Sequence, residues 1–553
     1  MRRIFNIYKL GITALLWVAA CSTVAAMPTP AKWVSLPQPD GSTIMARHLG
    51  DEFYSYWEDE EHRVLTQEAD GTWVVATTDD GSDSLSPTPQ QVQQRRLASP
   101  MRRGIKPVRR LGNTINLAPR GLVILVQFSD VKFKRNNQRA HFNALFNSDN
   151  YTSVGATGSV KKYFSDQSNG QYVPVFDVVG PYTLDKGYAH YGSNDYRRND
   201  KYMSDFVIEA VDSAAVVGNV DFSLYDNDND GEVDFIYFLY AGTNEAEGTD
   251  ANTIWPKNWS LTGALLCGTT HEEYEVDWWA DDVPLPTYNG KKINNFACSS
   301  EINSYDKRTG IGTICHEFSH VLGLPDYYDT DYGTNNQQGL TPGAWSLMDH
   351  GSYNNEGRTP PNYSVYDKYF MGWLTPQVLN SSNFVQLTTA YNSCYQLNSI
   401  GQRAAARATT QQYYLENRQQ TGWDTYLPGH GMIVWSVRYN ETSWTNNDLN
   451  NTANTPRYTI IPADDKTSGI GADTDPFPGT AVVTEWLPYT TYPLTNISEV
   501  SADKSIRFSF MGAAVPTDLE NIETTEKAAA TKLLRNGQVV IVRDGREYNI
   551  LGL

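Results

Sequence analysis

The sequence predicts an α+β multidomain protein. A central unit combines a mixed twisted sheet with one motif-bearing helix, a small β-rich module precedes it, and a β-sandwich-like domain follows. Three observations carry that expectation. At 553 residues the chain exceeds a single core, and about 150 residues per domain gives two to four units. Two continuous apolar runs, Gly121–Phe128 and Phe235–Tyr240, read as strands buried on both faces, with helical patterns around them. Near residue 376 the pattern changes to short alternating runs divided by turn residues. A composition of 40% hydrophobic and 19% charged residues is that of a globular protein, and a net charge of -19 argues against a nucleic-acid partner.

Residues 1–26 read as a signal peptide: Arg2, Arg3 and Lys9 precede Leu10–Ala20, an apolar run too short to span a bilayer. Two cleavage sites stay open. Val24-Ala25-Ala26 suits an ordinary signal peptidase and is favoured, whereas Val18-Ala19-Ala20-Cys21 resembles a lipobox that would leave Cys21 acylated. Both imply export, to the medium or the cell surface. Nothing later approaches 18 apolar residues, so no transmembrane domain is expected. Through residue 92, strand-like pieces (Thr43–Arg47, Trp73–Thr77) alternate with turn signals at Pro39-Asp40-Gly41 and Asp70-Gly71, which predicts a meander. Residues 93–110 hold six arginines, one lysine and two prolines: a solvated linker, or an exposed, protease-sensitive hinge.

The central unit, 111–375, carries helical stretches at His141–Phe146, Ser159–Phe164 and Phe206–Val217, and a helix opening near Gly312-Thr313 with Thr313 as N-cap. Runs such as Phe384–Thr389 and Met432–Val437 define the β-sandwich-like domain, 376–512. Residues 513–553 form a spacer and then a hairpin, Asn536-Gly537 and Asp544-Gly545 flanking Val539–Val542. A lone hairpin is marginally stable, so this one is a candidate for recognition by other machinery. Besides Cys21, four cysteines (Cys267, Cys298, Cys315, Cys394) allow one or two disulfides in an exported protein, with the pairing open.

The chemistry concentrates in His316-Glu317-Phe318-Ser319-His320 and its continuation through Gly323 to Asp326. Histidines four residues apart share a helix face, so both imidazoles reach one Zn2+ at about 2.0–2.1 Å. Glu317, on the adjoining face, is placed as general base for a water at the metal. Gly323 lets the chain leave the helix sharply and bring Asp326 back as an oxygen ligand. A glutamate further on, such as Glu356, is the alternative third ligand, but its Asn/Gly-rich segment is not helical and Asp326 is favoured. Cys315 is one step off the histidine face and reads as a small buried residue. His350 is unassigned, because catalytic zinc keeps one position open. Met348, 22 residues beyond Asp326, fits a buried methionine turn beneath the site. Tyr353, five residues on, is a candidate hydrogen-bond donor to an oxyanion.

A second acidic motif is Asp226-x-Asp228-x-Asp230-Gly231-Glu232-x-Asp234. Alternate acids with Gly at the sixth position suit Ca2+, with the Glu232 carbonyl at the seventh and Asp234 completing the shell. Tyr237 stands where an EF-hand needs glutamate and a strand follows, so this is no EF-hand. The competing reading is an acidic turn without an ion.

Over roughly residues 30–512 the chain resembles the immune-inhibitor-A-like secreted bacterial zinc metallopeptidases, a metzincin-related group. The resemblance rests on QPDGST…GDEF, LYDNDNDGEVDF…AGTNEAE, HEFSHVLGLPDYYDT, GSYNNEGRTPPNYSVYDKYFMGW and YYLENRQQTGWDTYLPGHGMIVW. It implies a metzincin-like central domain, a propeptide over 27–110 that makes the product a zymogen, and Zn2+ on His316, His320 and Asp326 with Glu317 as base. It also implies endopeptidase action on extracellular proteins or peptides. The final run, KLLRNGQVVIVRDGREYNILGL, is similar to tails read by type IX secretion machinery, although shorter and without a terminal basic residue. A monomer is expected. The rival reading is an inactive surface adhesin or glycan-binding protein that keeps a structural zinc; the intact Glu317 speaks against it, since a structural site has no use for a base.

Overall fold

The computed structural model describes residues 33–516 apart from 95–117, 331–339, 398–406 and shorter internal stretches, together with three strands between 531 and 548. The signal-peptide reading, Cys21 and nearly all of the basic linker lie outside the described residues.

The N-terminal strands β1 (Trp33–Pro37), β2 (Thr43–Asp51), β3 (Tyr54–Asp59), β4 (Val64–Gln67) and β5 (Trp73–Val75) form an antiparallel meander in chain order. One face buries Leu36, Ala46, Trp57, Leu65 and Trp73, the outcome of period-two patterning. This sheet docks on the central unit: His48 stacks on Trp57 at 4.5 Å and meets Trp255 edge-on at 5.2 Å. The Asn199 amide also donates to Ser55 Oγ at 2.9 Å.

The central sheet contains β6 (Arg120–Gln127), β7 (Val175–Thr183), β8 (Ile236–Tyr240), β9 (Lys257–Ser260) and β12 (Asn295–Ser300), with a two-residue hairpin, β10 (Thr287–Tyr288) and β11 (Lys291–Lys292), outside it. The order is β7-β6-β8-β12-β9; the first four strands are parallel and the edge strand β9 is antiparallel to β12. The helices are α1 (Gln138–Asn147), α2 (Val160–Gln167), α3 (Tyr188–Tyr191), α4 (Met203–Val216), α5 (Leu261–Cys267), α6 (Gly312–Leu322), α7 (Val365–Phe370) and α8 (Glu441–Asn446). Both apolar runs are buried on both faces. Leu122, Ile124, Ile236 and Phe238 join α4 and α5 in one core, while Val123, Leu125, Tyr237 and Leu239 join α1, α2 and α6 in another.

Behind α6 lies a second five-stranded sheet, β13 (Gln377–Leu379), β15 (Cys394–Leu397), β16 (Gln412–Arg418), β17 (Gly431–Val437) and β18 (Tyr458–Ile461). A three-stranded sheet of β14 (Asn383–Leu387), β20 (Ile506–Phe510) and β19 (Leu494–Glu499) covers its far face. Strand β17 shows the arrangement residue by residue. Ile433, Trp435 and Val437 point into the core shared with α6, and Met432 and Val434 point into the sandwich. The near face of the sandwich therefore shares a core with the helix while its interior forms a separate one, and α6 is enclosed between two sheets.

Three expectations are corrected. The C-terminal segment is not a single hairpin but three antiparallel strands, β21 (Thr531–Arg535), β22 (Gln538–Arg543) and β23 (Arg546–Tyr548). Cys267, Cys298, Cys315 and Cys394 are buried free thiols, each serving as a small apolar residue. Thr313 does not cap α6: the helix begins one residue earlier, and the Gly312 N–H donates to the Gly357 carbonyl at 2.7 Å. A Cβ on Gly312 would lie 1.8 Å from the Ser352 carbonyl oxygen, so only glycine permits this packing.

Among the described residues, no helix is long and apolar enough to cross a membrane.

Candidate metal centre

Helix α6 is anchored by Phe318, whose ring meets Phe235 at 4.5 Å, Phe164 at 4.8 Å and Phe176 at 5.7 Å. That fixes its rotation and turns His316 and His320 to the opposite side. The helix closes in a Schellman turn: Gly323, at φ 108°, donates to the His320 carbonyl at 3.0 Å and Leu324 donates to the Ser319 carbonyl at 3.1 Å. The turn aims the Leu324 carbonyl at His320 Nδ1, 2.8 Å away, and returns the chain so that Asp326 faces both histidines.

The two imidazoles are oriented alike. His316 Nδ1 lies 3.0 Å from the Leu347 carbonyl oxygen, and His320 Nδ1 has its own carbonyl at Leu324. Carbonyl oxygens only accept, so each Nδ1 carries the proton and each Nε2 presents a lone pair. Burial holds the His316 imidazole below its ordinary range, keeping it neutral, although Asp326 pulls the other way.

The acceptors thus converge. His316 Nε2 and His320 Nε2 are 3.0 Å apart, and Asp326 Oδ1 is 3.0 Å from the first and 3.4 Å from the second. Asp326 Oδ1 is buried without a hydrogen-bond donor. Tetrahedral ligands at 2.0–2.1 Å from one ion stand about 3.3 Å apart, which is the spacing of these three atoms. Two lone pairs and a carboxylate oxygen in a largely buried cradle repel one another unless a cation sits among them. The donor set, two imidazoles and a carboxylate, fits Zn2+ with one position left open.

Glu317 lies in the same cluster: one ligand atom from each of His316, Glu317 and His320 falls within 4.8 Å of the others. Burial pushes its carboxyl up to about 8, against the opposing pull of His320 and of the Asn258 amide on β9. Glu356 is elsewhere, paired with Lys307 and Arg358. His350 is bonded to the neighbouring Asp349 carboxylate at 2.6 Å.

Met348 is fully buried, and its carbonyl accepts the Tyr327 N–H at 2.8 Å. The turn after Asp326 is therefore tied to the turn whose Leu347 carbonyl orients His316. Tyr353 is buried in the 350–353 turn packed on the first turn of α6.

A residue missed in the sequence reading is Asn447, at the left-handed C-terminus of α8 (φ 55°). Its Nδ2 donates to Asp326 Oδ2, and its Oδ1 accepts the Asp326 N–H at 2.6 Å. The available signal was only an Asn-rich stretch, WTNNDLNNTANT, far along the chain.

The acidic loop is arranged differently. Asp226, Asp228 and Asp234 each place a carboxylate oxygen within 4.8 Å of the others. The loop's own amides use these groups: Asp226 accepts from Asp230 N–H at 3.1 Å and from Gly231 N–H at 3.0 Å, and Asp234 accepts from Asn227 N–H at 2.5 Å. Asp230 accepts from Glu232 N–H at 2.9 Å. Lys291 Nζ also stands 2.6 Å from Asp226 Oδ2.

The cradle lies within the part of the chain that resembles known proteins. Residues 118–374 match the family described as immune inhibitor A peptidase M6, catalytic domain. The chain is 26% identical over 263 residues to Immune inhibitor A of Bacillus thuringiensis subsp. alesti, a match covering 41% of this chain and 35% of that protein. It is 27% identical over 261 residues to pre-pro-metalloprotease PrtV of Vibrio cholerae serotype O1 (strain M66-2), covering 41% of this chain and 26% of the relative. The chain thus spans about a third or less of the curated relatives it matches. These matches make the unit that holds the cradle similar to a peptidase M6 catalytic domain.

Proposed function

We propose that the protein is a secreted zinc endopeptidase, made as a zymogen, that hydrolyses peptide bonds of extracellular proteins. The observation that carries this reading is the convergence of His316 Nε2, His320 Nε2 and Asp326 Oδ1 beside Glu317. When bound there, Zn2+ supplies Lewis acidity toward water and the scissile carbonyl. Glu317 takes the proton from the attacking water and delivers it to the leaving amine. Its burial strengthens that role, because a carboxylate freed from water holds a proton more readily. Asp326 and the two imidazoles hold the ion, each oriented through its second polar atom. Tyr353 is kept as the proposed oxyanion donor, which Tyr353→Phe tests through a fall in kcat without a change in KM.

The docked N-terminal meander supports the zymogen reading. It sits against Trp255, two residues before the strand whose Asn258 amide reaches Glu317. The name of one relative, a pre-pro-metalloprotease, agrees with it. The Asp226–Asp234 loop remains a proposed Ca2+ site in which an incoming ion competes with Lys291. The C-terminal strands are the proposed handle for secretion machinery.

The test uses residues 27–553 with casein as substrate. Glu317→Ala is expected to retain one zinc per chain and lose about 10²–10⁴-fold in turnover. His316→Ala is expected to lose both zinc and activity. Full activity in Glu317→Ala would sink the assignment, and zinc retention without hydrolysis in the wild type, even after limited proteolysis within residues 93–110, would favour the inactive-adhesin reading.

A further inference from the structure

We propose that Asn447, on the C-terminal β-domain, is a positioning residue for the third metal ligand, so that the metal centre is completed across two halves of the chain. The inference rests on the metal reading of His316, His320 and Asp326. Asn447 approaches Asp326 from 121 residues further along the sequence and makes two bonds to it. The carboxamide Nδ2 donates to Oδ2, and the carboxamide oxygen accepts the Asp326 backbone N–H. Only one orientation of an amide satisfies both partners, so the pairing fixes Asp326 in side chain and backbone together. With Oδ2 occupied, Oδ1 alone turns toward the two Nε2 atoms.

The chemistry of an amide suits this task. A lysine or arginine in the same place would neutralise the carboxylate, as Lys291 does for Asp226, and would compete with an ion. A neutral donor orients Asp326 and leaves its charge to the metal. The backbone also favours asparagine, which tolerates the left-handed conformation that ends α8.

The surrounding loop grips the same segment. Thr330 Oγ1 stands 3.0 Å from the Asn447 carbonyl oxygen and 2.9 Å from Asn451 Oδ1, and shares its one proton between these two acceptors. Asn450 Nδ2 donates to the Tyr327 and Tyr458 carbonyls, each at 2.6 Å. Residues 326–330 are thereby threaded between the Met348 carbonyl on one side and residues 447–451 on the other.

The test compares zinc extraction from holoprotein (residues 27–553) by a competing chromophoric chelator in the wild type, Asn447→Gly and Asn451→Ala. Glycine keeps the left-handed backbone and removes only the amide. Asn451→Ala loosens the same loop without touching Asp326. Asn447→Gly is expected to weaken zinc about 10–100-fold and to alter the visible spectrum of the Co2+-substituted protein. Its metal-free melting midpoint is expected to fall no further than that of Asn451→Ala, and Asn451→Ala is expected to keep wild-type affinity. Wild-type zinc affinity in Asn447→Gly overturns the inference alone, as does an equal loss in Asn451→Ala. A wild-type protein that takes no zinc overturns the metal reading and this inference with it.

Discussion

The chain has two clusters whose sequences both spell a cation site, and the structure builds them in opposite ways. In the cradle on α6, every accessory atom is satisfied by something that points the remaining acceptor inward. Leu347 and Leu324 take the Nδ1 protons, Asn447 takes Asp326 Oδ2, and three acceptors are left facing one another. In the Asp226–Asp234 loop the acids mainly hold their own turn together, and Lys291 already supplies a positive charge. Acidic spacing alone therefore says little about metal affinity. What matters is whether the fold leaves acceptors opposed and dry, since that arrangement is costly until an ion arrives.

The comparison breaks most severely if the cradle's second wall is removed. Truncation after residue 375 deletes Ile433, Trp435, Val437, Tyr458 and Ile460 from the core that holds α6, and Asn447 with them. Each such side chain contributes about 1.5–3 kcal/mol by burial, together comparable with a domain's whole stability. The expected product is unfolded or insoluble and retains no zinc. A soluble fragment 27–375 that binds zinc would show that the central unit is self-sufficient. Chelation is the next largest effect. Stripping zinc is expected to lower the melting midpoint by roughly 5 °C, the shift for about 4 kcal/mol of linkage at a thousandfold excess of ion over Kd in a cooperative unit of about 400 residues. A calcium-selective chelator is expected to move it far less, and an equal shift from both would place the two clusters on the same footing.

Much of the cradle was legible because it is local. The helix-face spacing of His316 and His320 and the sharp exit at Gly323 are properties of eleven consecutive residues, and the structure shows both the shared face and the Schellman turn. What could not be read was whatever depended on pairing distant segments. Asn447 lies 121 residues from Asp326, and the carbonyl behind His316 belongs to Leu347. The cap of α6 was misassigned because its first amide is satisfied by a loop carbonyl, which no side-chain signal announces. The sandwich strands contained a readable hint: Met432–Val437 is nearly continuous in apolar residues, the mark of burial on both faces, and β17 indeed serves two cores. Strand β23 is three residues long, too short for alternation to register.

Lys291 offers a finer test. Removing it with Lys291→Ala eliminates the ammonium that competes for Asp226, so apparent Ca2+ affinity is expected to rise about tenfold, equivalent to about 1.4 kcal/mol. Calorimetric titration with CaCl2 reads this directly. No binding in either form would leave the loop as a turn stabilised by its own amides. Ca2+ affinity that falls in Lys291→Ala would instead make the lysine part of the site.

The last effect concerns an acid on the cradle's side and is spread over about two pH units. Asp367 is buried, accepts the Tyr327 hydroxyl at 2.8 Å and the Tyr458 hydroxyl at 3.1 Å, and closes the capping box of α7 with Ser364. Burial pushes its carboxyl up to about 6, and the phenols and serine only partly oppose the shift. The folded state therefore holds a proton that the unfolded chain releases near pH 3.8. Between those values the native state binds more protons than the unfolded state, so stability falls as pH rises from about 4 to about 6, by at most about 3 kcal/mol. Asp367→Asn cannot ionise and should flatten that part of the profile, while costing about 1 kcal/mol at pH 4 through the weakened capping box. Urea midpoints measured every half pH unit give both slopes. An unchanged slope in Asp367→Asn would mean that the buried acid is already ionised at pH 4, held there by the two tyrosine hydroxyls that link α7 to the residue beside Asp326.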